Sequence, residues 1–389
     1  MAVANYEGPI VDTDVHNQFR GDSSLAQYLP PEWQSYVQAN GRSTVPLMPA
    51  RAFPGSLIGN GGKLADSYPA DGFKPGSDYE LLREQLLDRY GYFRCVLTHD
   101  VGEYPTQLNP YFAQALCRAV NDWSIDTWLN LGDERLTTVI VVPSATPVEA
   151  AAEVRRVADH PGMVGVLMAG NTLGRPLGDP LYHPIYEAAA ECGLPIVVHP
   201  ANTDRPSTHQ IRAVGGTKAT PIEFVPLTGQ ASMHYISSLI VHGVFEKYPT
   251  LKFLFNEYGI SWLPSLIWRL DQNYDQLRVE SPWVRRWPSE YIHDHVKLST
   301  QPFEEAADDR TSLTRLLATI EGVEDMLCFS TDYPHISFDE PLYVSRLIPV
   351  EWHEKVFFRN SCDILGFSGA EEFLRLRRRA AQVVSTGVG

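Results

Sequence analysis

The feature that most constrains the fold of this chain is a series of eight short apolar runs separated by helix-like segments. The runs are nearly continuous rather than alternating, which is typical of parallel strands that are covered on both faces. Between the fifth and sixth runs, apolar residues recur at helical spacing before the Tyr248-Pro249 stop. The predicted strands are 9–12, 94–97, 138–142, 163–168, 195–199, 251–255, 295–299 and 327–331.

Eight strand-then-helix units favour an α/β fold in which the strands close into a distorted (β/α)8 barrel, or TIM barrel. A doubly wound open sheet is the structural alternative. One such domain with insertions accommodates all 389 residues. Residues 17–90 are too many for a simple connection, and we expect them to form a lid or wall over the barrel mouth. Residues 370–389 are predicted to form a short charged helix and a tail.

Composition and charge exclude several classes of partner. The net charge of −15 argues against nucleic-acid binding, which needs a basic face. The sequence contains no run of 18 apolar residues, so we expect no membrane span. No secretion signal is recognisable at the N-terminus. The five cysteines are an odd number and far apart, so we expect buried thiols in the cytoplasm rather than disulfides. The expected partner is a small-molecule substrate.

Polar side chains stand where several of the predicted strands end. On the first strand they recur at every second residue, a spacing that places them on one side of a strand. They are Asp12, Asp14 and His16 at the first strand, His199 at the fifth, Glu257 at the sixth and Asp332 at the eighth. In a barrel these strand ends meet on one face, where the active sites of this fold lie.

Each of these residues also has an ordinary structural explanation. Taken alone, His199 is better explained by plain hydrogen bonding, while a turn before Tyr-Pro would explain Asp332 and an arginine partner would explain Glu257. Together, however, buried carboxylates and imidazoles cost much free energy to desolvate unless a cation or a proton network compensates them. A bound metal ion is the simplest compensation.

Four stretches of the sequence resemble the amidohydrolase-related family, which includes aminocarboxymuconate semialdehyde decarboxylase and the resorcylate-type nonoxidative decarboxylases. The similarity extends from about residue 9 to residue 366. The stretches are VDTDVH at 11–16, PIVVHP at 195–200, WLP through WRLD at 262–271, and STDYPH at 330–335. The resemblance implies a metal site on the barrel, and a homo-oligomer, most simply a dimer.

The resemblance also assigns metal ligands. It places them at Asp14, His16, His199 and Asp332, with Glu257 as the equivalent of a histidine that many members have after strand six. Two departures are evident: the first ligand is the short Asp14 where the family often has His or Glu, and a carboxylate replaces that histidine. The predicted catalytic residues are Asp332 and Glu257.

The number and kind of ions stay open at the level of sequence. The predicted fourth strand has no lysine, so the carbamylated lysine that bridges two metals in some superfamily members is missing. One ion is the default, and two ions would need Glu257 or another carboxylate as a bridge. The mixture of imidazole and carboxylate suits Zn, Mn or Fe.

Three further residues are candidate substrate contacts. His99 follows the second strand and faces the same mouth, and Trp262 is placed to line an apolar pocket. His335, three residues after Asp332, is a candidate either for substrate binding or for orienting the aspartate.

These predictions favour a metal-dependent enzyme that acts on a carboxylated or acyl organic substrate by hydrolysis or by nonoxidative decarboxylation. One alternative is a nonheme diiron monooxygenase of natural-product biosynthesis on the same fold, which the carboxylate-rich donor set suggests. The other alternative is a non-catalytic, ligand-binding barrel.

Overall fold

A computed structural model of the chain describes residues 5–21, 24–39, 62–99, 104–105, 109–170, 174–200 and 225–375. Within these ranges eight parallel strands form one sheet in the order β1 to β8. The strands are β1 Ile10–Val15, β2 Tyr92–Leu97, β3 Leu136–Val141, β4 Met163–Ala169, β5 Ile196–His199, β6 Phe253–Phe255, β7 Val296–Ser299 and β8 Leu327–Cys328.

The sheet closes into a barrel where the chain beyond β8 meets β1. Thr13 N donates to Phe329 O at 3.1 Å, and His16 N donates to Tyr333 O at 2.7 Å. Asp332 N donates to the carbonyl oxygen of Asp14 at 3.1 Å, in the same ladder. The predicted (β/α)8 barrel is confirmed, and the open-sheet alternative is excluded by this closure.

Helices follow the strands around the outside of the barrel. In the part of the chain that the structure describes, they are α1 Pro31–Ala39, α2 Tyr79–Leu82, α3 Pro110–Thr127, α4 Pro147–Val157, α5 His183–Glu191, α6 Gly229–Val241, α7 Val244–Lys247, α8 Leu263–Leu277, α9 Pro288–His295, α10 Ser312–Leu317, α11 Pro341–Ser345 and α12 Asn360–Leu365. Two π-helical turns, Arg83–Asp88 and Lys355–Arg359, adjoin α2 and α12. None of these helices is long and apolar enough to cross a membrane.

The strands are buried along nearly their whole length, as continuous apolar runs require. All residues of β1, β3 and β4 are buried, and so are all those of β6. The predicted strands overlap the observed ones, but the bounds differ most at the two strands that close the barrel. The first strand was predicted to end at Asp12, yet it continues to Val15, whereas the eighth ends at Cys328 rather than Thr331.

Side-chain hydrogen bonds explain the early end of β8. The carboxylate of Asp12 accepts from Thr331 N at 3.1 Å and from Thr331 Oγ1 at 2.6 Å. The side chain therefore takes the place of a ladder partner, and the backbone turns into the loop after β8.

Part of the long segment between β1 and β2 touches the barrel mouth. Leu64 N donates to Pro334 O at 2.8 Å, and Ile336 N donates to Gly62 O at 2.6 Å, on either side of an antiparallel bridge from Lys63 to His335. Within the predicted lid, residues 22–23 and 40–61 lie outside the described residues, and so does the predicted tail beyond residue 375. The segment 62–64 thus lies against the loop after β8.

Candidate metal centre

Two imidazoles and a carboxylate meet at the C-terminal ends of β1 and β5. Asp14, His16 and His199 each place one donor atom within 4.8 Å of the others. His199 Nε2 lies 3.4 Å from Asp14 Oδ2, and His16 Nε2 lies 3.6 Å from Asp14 Oδ1. Asp14 and His16 are buried, and the side chain of His199 is 14% exposed. The group therefore has the composition and spacing of a cation site.

Backbone carbonyls orient both imidazoles of this group. His16 Nδ1 donates to His99 O at 3.2 Å, and His199 Nδ1 donates to Pro200 O at 2.8 Å. A carbonyl oxygen only accepts, so each ring carries its proton on Nδ1 and presents the lone pair of Nε2 to the site. Metal-binding histidines commonly have such a partner on the second ring nitrogen.

The carboxylate of Asp14 is held as an anion. Burial alone would raise the pKa of Asp14, but the adjacent imidazoles of His199 and His16 lower it overall. Thr98 Oγ1 donates to Asp14 Oδ1 at 2.5 Å and fixes the carboxylate plane. The other oxygen of Asp14, Oδ2, faces His199.

Asp332 adjoins this group, contacts His16 and accepts hydrogen bonds from three other side chains. His16 Nε2 lies 3.1 Å from Asp332 Oδ1, and His335 Nδ1 donates to the same oxygen at 2.6 Å. Oδ2 accepts from Gln301 Nε2 at 3.0 Å and from Ser337 Oγ at 2.5 Å. Although burial opposes it, the neighbouring His335 and His16 hold the pKa of Asp332 well below its usual range.

A second group of donors shares one histidine with the first. His16, Asp332 and His335 each place a donor atom within 4.8 Å of the others. In this group, however, Nε2 of His335 lies 2.7 Å from the ammonium nitrogen of Lys63. Lys63 and the clamp residues Gln301 and Ser337 were not predicted from sequence, because no motif marks them.

Glu257 lies at the edge of the first group. Its Oε2 is 3.1 Å from His199 Nε2, and its side chain is 33% exposed. Ser299 Oγ accepts from the backbone N–H of Glu257 at 3.1 Å. Glu257 belongs to neither donor group found among the described residues, so the structure places it beside the donor atoms and nearer to solvent.

Non-glycine residues with positive φ, as far as the structure describes the chain, all lie at this mouth. They are His99, Glu257 and Asp332, with φ of 58°, 61° and 61°. They follow β2, β6 and β8, where the chain leaves the barrel. Left-handed backbone is costly for residues with a side chain, and such conformations cluster at functional sites. The strained positions therefore coincide with the predicted site.

Asp12 does not join the donor groups, although the strand period suggested that it faces the same side as Asp14 and His16. Register shifts interrupt the pairing of β1 with β2 between Asp12 and Val15, so the simple alternation fails there. Besides Thr331, the carboxylate of Asp12 accepts from Asp14 N at 3.1 Å and from Tyr92 OH at 2.9 Å. Burial raises the pKa of Asp12 to about 7, against the effect of these hydrogen bonds.

Two of the predicted substrate contacts, His99 and Trp262, make hydrogen bonds within the fold. His99 is buried, and its Nε2 lies 3.1 Å from both Ser124 Oγ and Thr138 Oγ1. Burial and the neighbouring His16 lower the pKa of His99 to about 3, so the ring is neutral. Trp262 Nε1 donates to the carbonyls of Tyr258 and Gly259, within the loop that follows Glu257.

These residues fit a divalent ion. Asp14 Oδ2 and His199 Nε2 are buried without a hydrogen bond to any residue that the structure describes. Such atoms cost free energy unless a ligand engages them, and two imidazoles with carboxylate oxygens suit Zn, Mn or Fe. Fold and site thus define a metal-dependent enzyme on a (β/α)8 barrel.

Comparison with known proteins agrees with this class. A family model described as amidohydrolase matches residues 12–367. The chain is 25% identical to a gamma-resorcylate decarboxylase from Polaromonas sp. JS666 over 325 residues, which cover 79% of this chain and 94% of that relative. The chain belongs to the amidohydrolase family, and the predictions of family, enzyme class and metal cofactor are confirmed.

Solved structures share the fold. An amidohydrolase from Mycobacterium avium subsp. paratuberculosis K-10 superposes with a TM-score of 0.68 at 19% identity. The alignment covers 93% of this chain and 100% of the amidohydrolase. A dihydroxybenzoic acid decarboxylase from Polaromonas sp. JS666, with bound manganese and the inhibitor 2-nitroresorcinol, gives a TM-score of 0.62 at 18% identity. That alignment covers 92% of this chain and 97% of the decarboxylase.

Proposed function

We propose that this protein is a manganese-dependent nonoxidative decarboxylase of a hydroxylated aromatic acid. The observation that carries the proposal is the buried donor group Asp14, His16 and His199, with Asp332 in contact with His16. The gamma-resorcylate decarboxylase to which the chain is similar supports the substrate class, and the manganese in the solved decarboxylase supports the metal.

A divalent ion held by this group would supply Lewis-acid chemistry, which would anchor an anionic substrate and draw electron density from its ring. The chain's own residues set the geometry of that anchor. His16 and His199 present Nε2, because backbone carbonyls hold their other ring nitrogens. The clamped Asp332 places its Oδ1 3.1 Å from the same Nε2 of His16, where it would be a further ligand of the ion.

We assign the proton donor to Glu257. In decarboxylation the bond between the ring carbon and the carboxyl group breaks, CO2 leaves, and the ring carbon takes a proton. Asp332 is poorly suited to give that proton, because three donors already point at its two oxygens. Glu257 is partly exposed, so it regains a proton from water after each turnover.

The test is an anaerobic assay with manganese-loaded protein and 2,6-dihydroxybenzoate or 5-carboxyvanillate, in which released CO2 is measured. We expect CO2 release, and a loss of kcat of roughly a hundredfold or more in Glu257→Gln. His293→Gln, a change at an exposed histidine, is the matched control and should leave kcat unchanged. Incorporation of oxygen from labelled water into an acyl or amide substrate, without CO2 release from either acid, would instead assign a hydrolase.

The oxidative alternative has one observation in its favour. The second donor group, His16, Asp332 and His335, shares His16 with the first and would place two ions next to each other. Substrate-dependent O2 uptake by iron-loaded protein would favour a monooxygenase. Full activity under nitrogen would exclude it.

The proposal also includes the setting of the enzyme. All five cysteines are free thiols, and four of them are buried, which suits the reducing cytoplasm. A homodimer is proposed by analogy with the family. Light scattering of the purified protein tests the dimer.

A further inference from the structure

The segment between β1 and β2 delivers a lysine to the loop after β8. The antiparallel bridge between Lys63 and His335 holds the two backbones together, and hydrogen bonds from Leu64 to Pro334 and from Ile336 to Gly62 flank it. Both side chains are half-buried. Lys63 is therefore held in place through its backbone, and its ammonium group reaches His335 Nε2 at 2.7 Å.

The partners of His335 determine which ring nitrogen carries the proton. An ammonium group only donates hydrogen bonds, so Nε2 of His335 must accept from Lys63. The carboxylate of Asp332 only accepts, so Nδ1 of His335 must donate to it. Both contacts are satisfied together by one form of the ring, the neutral tautomer with its proton on Nδ1.

We propose that Lys63 is a positioning residue of the metal site, which fixes His335 in the tautomer that donates to Asp332 and keeps His335 from binding an ion. Asp332 Oδ1, which accepts from His335, is also the atom that lies 3.1 Å from His16 Nε2. The hydrogen bond from His335 therefore also sets the orientation of the aspartate toward the first donor group. The inference rests on the metal site of the proposed function, but it requires neither its substrate nor its reaction.

The same contact bears on the number of ions. A metal ion in the second group needs a lone pair from His335, yet its Nδ1 is protonated toward Asp332 and its Nε2 accepts from Lys63. The ammonium group thus engages the second ring nitrogen of His335, so neither nitrogen offers a free lone pair to a second ion. The chain thus uses a lysine from outside the barrel to restrict the site to one ion at Asp14, His16 and His199.

Nitrogen-15 NMR of the histidine rings tests this inference directly. The full-length protein is labelled with ¹⁵N-histidine and loaded with zinc, which is diamagnetic, and the His335 signals are assigned by their absence in His335→Gln. We expect a protonated Nδ1 and an unprotonated, metal-free Nε2, and one zinc per chain by elemental analysis. A protonated Nε2, or a second zinc that shifts a His335 signal, would overturn the proposal.

Two variants and a control sharpen the result. Lys63→Met removes the donor, so a population with the proton on Nε2 should appear, whereas Lys63→Arg retains a donor and should preserve the Nδ1 tautomer. Lys74→Met makes the same charge change at an exposed residue of the same segment and should leave the His335 signals unchanged. An unchanged tautomer in folded Lys63→Met would show that Lys63 only packs against the loop; if that variant does not fold, the wild-type spectrum and Lys63→Arg decide the question.

Discussion

At the scale of single residues, Asp12 and Asp14 show how position separates two identical side chains. Asp14 has one oxygen on Thr98 and the other toward His199, so it is available to an ion. Asp12 accepts four hydrogen bonds from Asp14, Tyr92 and Thr331 and has no ion-binding neighbour among the described residues. Asp12 therefore ties β1 to β2 and to the chain beyond β8.

We predict that Asp12→Ala destabilises the protein by about 3 kcal/mol or more, because buried donors lose their acceptor at a cost of about 1–3 kcal/mol each. Asp12→Asn should be nearly neutral. Its oxygen accepts from the two backbone N–H groups, and its NH2 group donates to the hydroxyls of Tyr92 and Thr331, which both accept as well as donate. Urea unfolding of the two variants measures the difference.

The comparison between the two variants is what tests the hydrogen-bond account. Equal destabilisation by Asp12→Ala and Asp12→Asn would mean that the negative charge, rather than the acceptor, stabilises this junction. Equal and small effects would mean that the buried donors find other partners.

The sequence predicts the donor residues better than the residues that hold them. Asp14, His16, His199 and Asp332 all converge, since each follows a strand and strand ends meet on one face of a barrel. The roles of Gln301, Ser337 and Lys63 depend on how loops fold back on the mouth, which neither strand period nor helical spacing encodes. Asp12 was misplaced because the irregular register of β1 interrupts the alternation.

At the scale of elements, the strand ends carry the strain of the site. Glu257 is the notable case, since glutamate rarely adopts φ near 61° and Asp and His do so more readily. Two contacts hold it there: its backbone N–H donates to Ser299 Oγ on β7, and the following loop is fixed by Trp262. The end of β6 is thus forced to project a carboxylate toward His199.

We predict that Glu257→Gly is more stable than Glu257→Ala by about 1 kcal/mol. Alanine keeps the cost of a Cβ in left-handed backbone, about 1–2 kcal/mol, and glycine avoids it. Glycine also loses more backbone entropy on folding, but this loss offsets only part of that advantage. Both variants lack the carboxylate, so both should lose decarboxylation. Thermal and urea unfolding of the metal-free proteins checks the order of stability.

An alanine variant as stable as the glycine variant would contradict the strain account, since it would mean that the loop after β6 relaxes out of the left-handed region.

The strands themselves were predictable, because buried parallel strands leave continuous apolar runs. The left-handed positions were not, because Glu257 has no local signal of the kind that glycine gives.

At the scale of the whole molecule, the metal group joins parts of the barrel that are distant in the chain. Asp14 and His16 lie on and next to β1, His199 ends β5, and Asp332 belongs to the segment that closes the barrel. An ion bound by them would connect β1 and β5, which lie opposite each other in the strand order, with the segment that closes the barrel. Four carboxylate or imidazole groups contributed by three places in the chain would thus respond to metal as one unit.

Metal removal should therefore lower the global stability of the fold, and His199→Ala should abolish that dependence. An ion that binds the folded state and not the unfolded one stabilises it by about 2.7 kcal/mol at a hundredfold excess over its Kd. In Tm measurements with added manganese and with chelator, we expect a clear rise with metal for the wild type and none for His199→Ala, with His293→Gln responding as the wild type does. A metal-dependent rise that persists in His199→Ala would place the stabilising ion outside Asp14, His16 and His199, since the variant removes the one donor that β5 contributes to that group.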